Sequence, residues 1–209
     1  MKIIDFHAHI YPEAIAKRAV ESIGEFYGCN MNRSGTVSEL LETEKNEGVS
    51  EFVVHSVAID KKHVAPINEF ILKEAKAHSE FHGFGTTHAE LENKVFEAER
   101  VLNEGLEGIK IHPDTQRFNM DDERMFDLYD YLQMRQTPIL IHCGDYRFDY
   151  SHPRRLKRVL KLFPRLKVVA AHLGGWSVYD LALEYLENES CFFDTSSSFF
   201  MLGRRRAKE

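Results

Sequence analysis

The sequence predicts an α/β barrel of parallel strands, and three observations carry that prediction. Short β-branched or apolar runs alternate with longer helical patterns along the 209 residues. The first run leads into His7-Ala8-His9-Ile10-Tyr11-Pro12, which lacks the glycines that a nucleotide-binding open sheet places after its first strand. Polar residues recur at the ends of successive runs: His7 and His9, His55, His88, His112, His142, His172 and Asp194. An open sheet binds at one switch point, whereas a barrel gathers its chemistry from many strand ends, so the pattern favours the barrel.

Seven runs read as strands, at Lys2–Phe6, Glu51–Val57, Phe81–Thr87, Gly108–Ile111, Pro138–Ile141, Leu166–Ala171 and Ser190–Phe193. Helices fill the intervals. Thr36 with Glu39 forms a capping box before Leu40-Leu41, and Gly48 stands where a left-handed stop is wanted. Ser151 is placed to cap the helix that Pro153 opens, in which Leu156, Val159, Leu160 and Phe163 recur at helical spacing. Gly105 and Gly108 punctuate the passage from a helix at Glu92–Asn103 into the fourth strand. Gly24–Gly35 and Asp114–Met120 read as irregular loops, expected to select the substrate.

With 43% hydrophobic residues, the chain can bury one large core, and residues 1–209 are read as a single domain. The formal charge of −6 is spread over mixed Lys/Glu stretches, so no basic field attracts a phosphate backbone and nucleic acid is not an expected partner. Cys29, Cys143 and Cys191 are odd in number and widely spaced, which suits reduced thiols better than a disulfide framework. Met1-Lys2-Ile3-Ile4-Asp5 puts an acid where a signal peptide continues its apolar run, and no stretch is long enough to span a bilayer. A cytoplasmic protein acting on a small molecule, with no membrane partner, is expected.

His7 and His9 lie two apart on a strand, so both point to one face, the interior of a barrel, where paired imidazoles can chelate an ion. By the same alternation Asp5 is expected one step deeper on that face, orienting a ligand. His142 follows Pro138-Ile139-Leu140-Ile141, and His172 follows Val168-Val169-Ala170-Ala171. Each closes an apolar strand, where a neutral imidazole needs a partner.

The segments Asp5-Phe6-His7-Ala8-His9, Gly108-Ile109-Lys110-Ile111-His112-Pro113, Ile141-His142-Cys143-Gly144, Ala171-His172-Leu173-Gly174-Gly175 and Phe193-Asp194-Thr195-Ser196-Ser197 resemble the successive strand-end motifs of the amidohydrolase superfamily. The nearest likeness is to the amidohydrolase-2 branch, related to aminocarboxymuconate-semialdehyde decarboxylase. It runs from residue 3 to about residue 199. The resemblance implies a (β/α) barrel of the metal-dependent hydrolase type and one divalent metal ion, zinc first among the candidates, held by His7, His9 and His142. It places His172 beside the metal, polarising the substrate or positioning a metal-bound water. The family's aspartate at the end of an eighth strand has no counterpart here, and Met201–Glu209 contains neither a useful helix nor a strand. Seven strands are therefore expected with the eighth missing, through early termination or a shifted reading frame. The domain is then incomplete at its C-terminus, and its open sheet edges invite association between copies and weaken metal retention and turnover. Arg204–Arg206 reads as a solvated tail.

Other residues carry less. Lys110 shares a face with His112, where some superfamily members carry a carboxylated lysine bridging two metals; lining the mouth or pairing with an acid is the commoner outcome for such a lysine. His112 is a substrate contact or a turn residue, Asp194 a support for His172 or the substrate, and Arg147 a holder for a carboxylate. His55 and His88 line the mouth, whereas His63, His78, His82 and His152 carry no signal beyond ordinary surface or capping histidines. Cys143 faces outward into packing, and Trp176, Tyr179 and Phe192-Phe193 are expected in the core.

The first functional reading is hydrolysis, a metal-activated water attacking an amide, ester or lactone carbonyl. The second is non-oxidative decarboxylation of a small unsaturated or aromatic acid, and the third an inactive remnant that binds only metal or a partner. A nuclease barrel also begins His-x-His, but it calls for a glutamate ligand where this chain reads Lys110-Ile111-His112.

Overall fold

The computed structural model describes residues 2–199 and 202. Seven parallel strands stand in sequence order across one sheet: β1 (Ile4–His9), β2 (Glu51–His55), β3 (Phe81–Thr86), β4 (Gly108–Ile111), β5 (Ile139–Ile141), β6 (Val168–Ala170) and β7 (Phe192–Phe193). The helices are α1 (Glu13–Tyr27), α2 (Val37–Glu47), α3 (Val64–Ala77), α4 (Lys94–Asn103), α5 (Pro113–Gln116), α6 (Phe126–Arg135), α7 (Pro153–Leu162) and α8 (Tyr179–Leu186). Among the described residues there is no eighth strand, and no helix is long and apolar enough to cross a membrane. Arg204–Arg206 lies outside the described residues.

Alternation within each strand builds two apolar layers. Phe52, Val54, Ile109, Ile111, Ile139 and Ile141 face the helices and join the main core, whereas Val53, Phe84, Leu140, Val169 and Ala171 fill the concave side. Gly108 must stay bare for this plug, because a Cβ there would lie 2.5 Å from the Phe84 ring. The sheet is curled enough that β1 and β7 meet at their C-terminal ends, where His7 Nδ1 lies 2.7 Å from Asp194 Oδ2. Their ladders nevertheless stay open, since β1 pairs only with β2 and β7 only with β6. Phe192 and Phe193, expected in the core, sit on that edge and are exposed.

Several local expectations change. α1 runs to Tyr27 before Gly28 ends it in the left-handed region, so four residues of the expected loop at Gly24–Gly35 are helical. The segment Asp114–Met120 begins within α5, and Asp114, Gln116, Phe118 and Met120 are buried. Half of the expected capping box forms, with the Thr36 hydroxyl accepting from the Glu39 amide at 3.3 Å, while the Glu39 carboxylate accepts from the Ser34 amide and hydroxyl and not from Thr36. His152 Nδ1 caps α7, while the Ser151 hydroxyl donates to Asp114. Gly48 takes the left-handed conformation expected of it, with φ 71°.

Polar clamps fix the strand ends. The Gln116 side chain accepts from the His112 amide at 2.8 Å and donates to the carbonyls of Ala58 at 2.7 Å and Thr87 at 2.6 Å. It thereby ties the exits of β2, β3 and β4 together. At the opposite end His82 bridges Glu107 at 2.9 Å and Glu51 at 3.3 Å. Gln116→Leu should lower the unfolding free energy, measured in urea, by at least about 1–3 kcal/mol, because buried backbone groups lose their partners. His82 should give a smaller, pH-dependent effect. Partial burial lowers its pKa, but its bonds to Glu107 and Glu51 outweigh that and raise it. A raised histidine pKa stabilises the fold below its ordinary value, and the contribution is lost as pH rises through the raised one. His82→Gln should therefore lower the urea midpoint at about pH 5 and leave it unchanged at about pH 9, by less than about 1 kcal/mol for so exposed a cluster.

Candidate active site

The histidines of β1 reach the mouth by way of a β-bulge. Asp5 pairs with Phe52 and Ala8 with Val54, so Phe6 and His7 together oppose the single residue Val53. Upstream of the bulge Asp5 shares the helix-facing side with Phe52; downstream Ala8 shares it with Val54, leaving His7 and His9 on the concave side. The expectation that Asp5 lies beneath the histidines fails for this reason. Its carboxylate instead accepts from the His7 backbone N–H at 2.9 Å, which satisfies the amide that the bulge strands. Phe6 turns inward and meets Phe84 edge-on.

His172 is aimed by a second departure from regular structure. Ala171 faces inward, so a continuing strand would turn His172 out. His172, Leu173 and Gly174 all take positive φ, at 59°, 54° and 75°, and the turn brings the imidazole back into the mouth. Asp194 holds it: Oδ1 accepts from the His172 amide at 2.9 Å, and the Asp194 carbonyl accepts from the Leu173 amide at 2.8 Å. The same carboxylate binds His7 Nδ1 and accepts from the Ser196 hydroxyl at 2.6 Å. Ser196 is a contributor that the sequence reading did not single out, though it stands two residues after Asp194.

The imidazoles fall into three groups whose ligand atoms lie within 4.8 Å of one another: His7, His9 and His55; His7, His172 and Asp194; and His112, Asp114 and His142. His142 is thus grouped apart from His7 and His9, with His172 between: the ring centroids are 4.8 Å from His142 to His172 and 4.9 Å from His172 to His7. The His142 ring also stacks on that of His112, 3.7 Å away and within 9° of parallel, and its Nε2 is buried without a hydrogen-bond partner. His172 Nδ1 donates to the Ser196 carbonyl at 2.8 Å. Its Nε2 is then the acceptor for His142 Nδ1 at 3.0 Å. His112 Nε2 meets the Tyr27 hydroxyl at 2.8 Å, and Tyr27 comes from the end of α1 that the sequence reads as loop. His88 is tied to the Gln116 carbonyl and the Glu90 amide as part of the scaffold.

Burial keeps these rings neutral. It is the largest cause in holding His7, His55, His112 and His142 well below the ordinary histidine value, His9 at about 3 and His172 at about 4, with Lys110 pushing the same way. Lys110 is wholly buried and itself lowered to about 8 by desolvation, which Asp194 partly opposes; its ammonium lies 3.4 Å from His7 Nε2. Asp114, a second residue the sequence reading passed over, is raised to about 7 by burial, against the hydrogen bond from Ser151. Its signal was its place in the first turn of a helix that a proline opens directly after β4.

Arg147 does not present a free guanidinium. Its Nε and Nη2 donate to Asp145 at 2.9 and 2.6 Å, another donor takes the Phe26 carbonyl, and the Phe26, Tyr27, Phe148 and Trp176 rings surround it at 4.8 to 6.0 Å. Its charge is already paired with Asp145, which disfavours the expected role of holding a substrate carboxylate. Arg147 instead pins the end of α1 over the mouth.

The donor set fits a divalent metal ion. Neutral imidazoles are the form that ligates, and His7, His9 and His55 converge with tilted rings. Both His55 nitrogens, wholly buried, lack any hydrogen-bond partner.

A family model described as Amidohydrolase matches residues 4–197. Comparison with curated proteins finds no match. Among solved structures, an uncharacterised TIM-barrel protein from Bordetella bronchiseptica superposes with a TM-score of 0.72 at 19% identity, over 94% of this chain and 76% of that one. A probable 2-pyrone-4,6-dicarboxylic acid hydrolase from Acinetobacter baumannii gives 0.66 at 14% identity, over 99% and 74%. A 5-carboxyvanillate decarboxylase from Novosphingobium aromaticivorans, solved with bound manganese, gives 0.66 at 16% identity, over 88% and 68%. At such identities these likenesses show the fold.

Proposed function

This chain belongs to the amidohydrolase family, and on that premise we propose that it is a metal-dependent enzyme removing the carboxyl group of a small unsaturated or aromatic acid as CO2, without oxidation. The observation that carries the reading is Lys110. Its ammonium is buried among the imidazoles, is hydrogen-bonded to His7 alone and forms no ion pair among the described residues. A buried cation in that state suits an anionic substrate. The decarboxylase and the dicarboxylic acid hydrolase that resemble this chain are both named for carboxylic acids.

A bound divalent ion would supply Lewis acidity to the substrate's oxygens. The imidazole donors favour zinc for that ion, although manganese is what the decarboxylase structure holds. The Tyr27 and Trp176 rings, in contact at 4.7 Å, together offer an aromatic wall against which a flat substrate lies. On substrate binding His172 Nε2 exchanges its bond from His142 Nδ1 for one from a substrate hydroxyl. As the bond between the substrate carbon and its carboxyl group breaks, the electron pair stays on that carbon. The proton that replaces CO2 comes from the Lys110 ammonium, whose pKa burial lowers to about 8 and which is therefore still mostly protonated at neutral pH.

Hydrolysis, the first reading of the sequence, is favoured by the likeness to the dicarboxylic acid hydrolase. It needs a group to take the proton of water, and Asp194 is already bonded to His7, Ser196 and the His172 amide.

Incubation of the metal-loaded chain with 5-carboxyvanillate, related aromatic acids and a set of lactones and amides should release CO2 and, in D2O, leave deuterium at the vacated carbon. Ring opening or amide cleavage without CO2 would put hydrolysis in its place. Lys110→Met and His172→Ala should each lower kcat by about 10²–10⁴ while metal analysis shows the ion retained.

A further inference from the structure

We propose that Tyr27, carried on the last turn of α1, is a gate that shuts the mouth and that an incoming substrate displaces, an oxygen of the substrate taking over the bond from His112 that the Tyr27 oxygen now holds. The mouth as it stands admits nothing. Lys110 is wholly buried, and His112, His142 and His172 expose 6% of their surface or less. A substrate reaches these groups only after a covering side chain moves.

Tyr27 is placed to be that side chain. Its ring centroid lies 4.7 Å from that of Trp176 and 6.3 Å from that of His142, and its hydroxyl is 2.8 Å from His112 Nε2. His112 Nδ1 accepts from the Thr115 amide at 3.4 Å, so Nε2 carries the hydrogen and donates to the Tyr27 oxygen. A buried N–H left without an acceptor is costly, so a mouth from which Tyr27 has withdrawn needs another oxygen at that place. A carboxylate oxygen answers the need better than a phenol, because the bond becomes charge-assisted. That the arriving oxygen is a carboxylate's rests on the reading of the substrate as an acid; the gate itself does not.

The support beneath Tyr27 is built to give way. Of the 15 residues of α1 only Ala16 and Gly24 are buried, and segments with so little buried surface open at low free energy. The last turn stands between Gly24 and Gly28, the latter left-handed and with open space around its Cα. Two side chains of the loop after β5 latch it. The Arg147 guanidinium donates to the Phe26 carbonyl and lies 4.8 Å over the Phe26 ring, and the Phe148 ring stacks on that of Phe26 at 5.7 Å. Trp176, by contrast, is held by its own backbone, whose amide donates to the Cys143 carbonyl at 2.8 Å. Tyr27 thus moves against a fixed Trp176, and once a substrate is inside it returns to complete the aromatic wall.

Trp176 is the single tryptophan of the chain and reports the gate without any turnover. The test uses the full chain, with and without added Zn2+, and follows acrylamide quenching of Trp176 and calorimetric titration with benzoate. Tyr27→Phe keeps the ring and removes the oxygen. It should bind benzoate at least about fivefold more tightly than wild type, because the closed state loses its bond and the open fraction rises. A tyrosine that served only as a substrate contact would give the opposite sign. Arg147→Lys keeps a charge beside Asp145 but gives up the planar fork that also reaches Phe26, and should raise both the quenching of Trp176 and the hydrogen exchange of residues 24–28. Circular dichroism and the urea midpoint check that each variant is folded. Benzoate bound by Tyr27→Phe no more tightly than by wild type, or Trp176 quenched equally in wild type and both variants, overturns the gate. Raised quenching in both variants, while neither they nor wild type bind benzoate, supports the gate and counts against the acid reading.

Discussion

The carboxylate of Asp194 is the contact on which the mouth depends. It stands just past β7, the last strand of the sheet, yet it bonds His7 on β1, the backbone of the left-handed turn after β6, and Ser196. Backbone ladders do not join β1 to β7, so these side-chain bonds are what draw the two ends of the sheet together. They act at the end of the strands where side chains converge. A charge-assisted bond to a buried imidazole is stronger than a neutral one, and here it also decides which His7 nitrogen keeps its lone pair. Closure and chemistry thus share one residue.

Much of this was legible in the sequence because strand ends are marked by a change of composition. Ile139-Leu140-Ile141 and Val168-Val169-Ala170 are unbroken apolar runs, and the histidines after them could only belong to a mouth. β4 was bounded correctly at Gly108–Ile111, since Gly108 is required by the Phe84 ring. What escaped were breaks in periodicity. A bulge leaves the composition of β1 untouched while changing which residues share a face, so Asp5 was assigned to the wrong side. The left-handed turn at His172 is likewise invisible to propensity, because the tertiary bonds of Asp194 hold it.

Long-range clamps were hidden for a related reason. Gln116 reads as one polar residue in a loop, yet its side chain joins three strand exits. Tyr27 is hidden by glycines: Gly24 reads as the start of a loop, although its bare Cα is needed to pass the Cys29 carbonyl, 2.8 Å from where a Cβ would stand. His55 reads as lining the mouth, but that neither of its nitrogens is bonded depends on the packing of the whole mouth and leaves no mark in the sequence.

The bulge in β1 has an effect outside the mouth as well. β1 is an edge strand, and a flat run of six residues with Ile4 and Phe6 partly exposed would be a template on which a second chain could add a strand. An extra residue at Phe6-His7 spoils that template, for a partner strand in regular extension cannot stay in step with both halves, and the His7 amide is already turned back onto Asp5. The irregularity that aims an imidazole inward therefore also discourages fibril-like growth along the open side of the sheet.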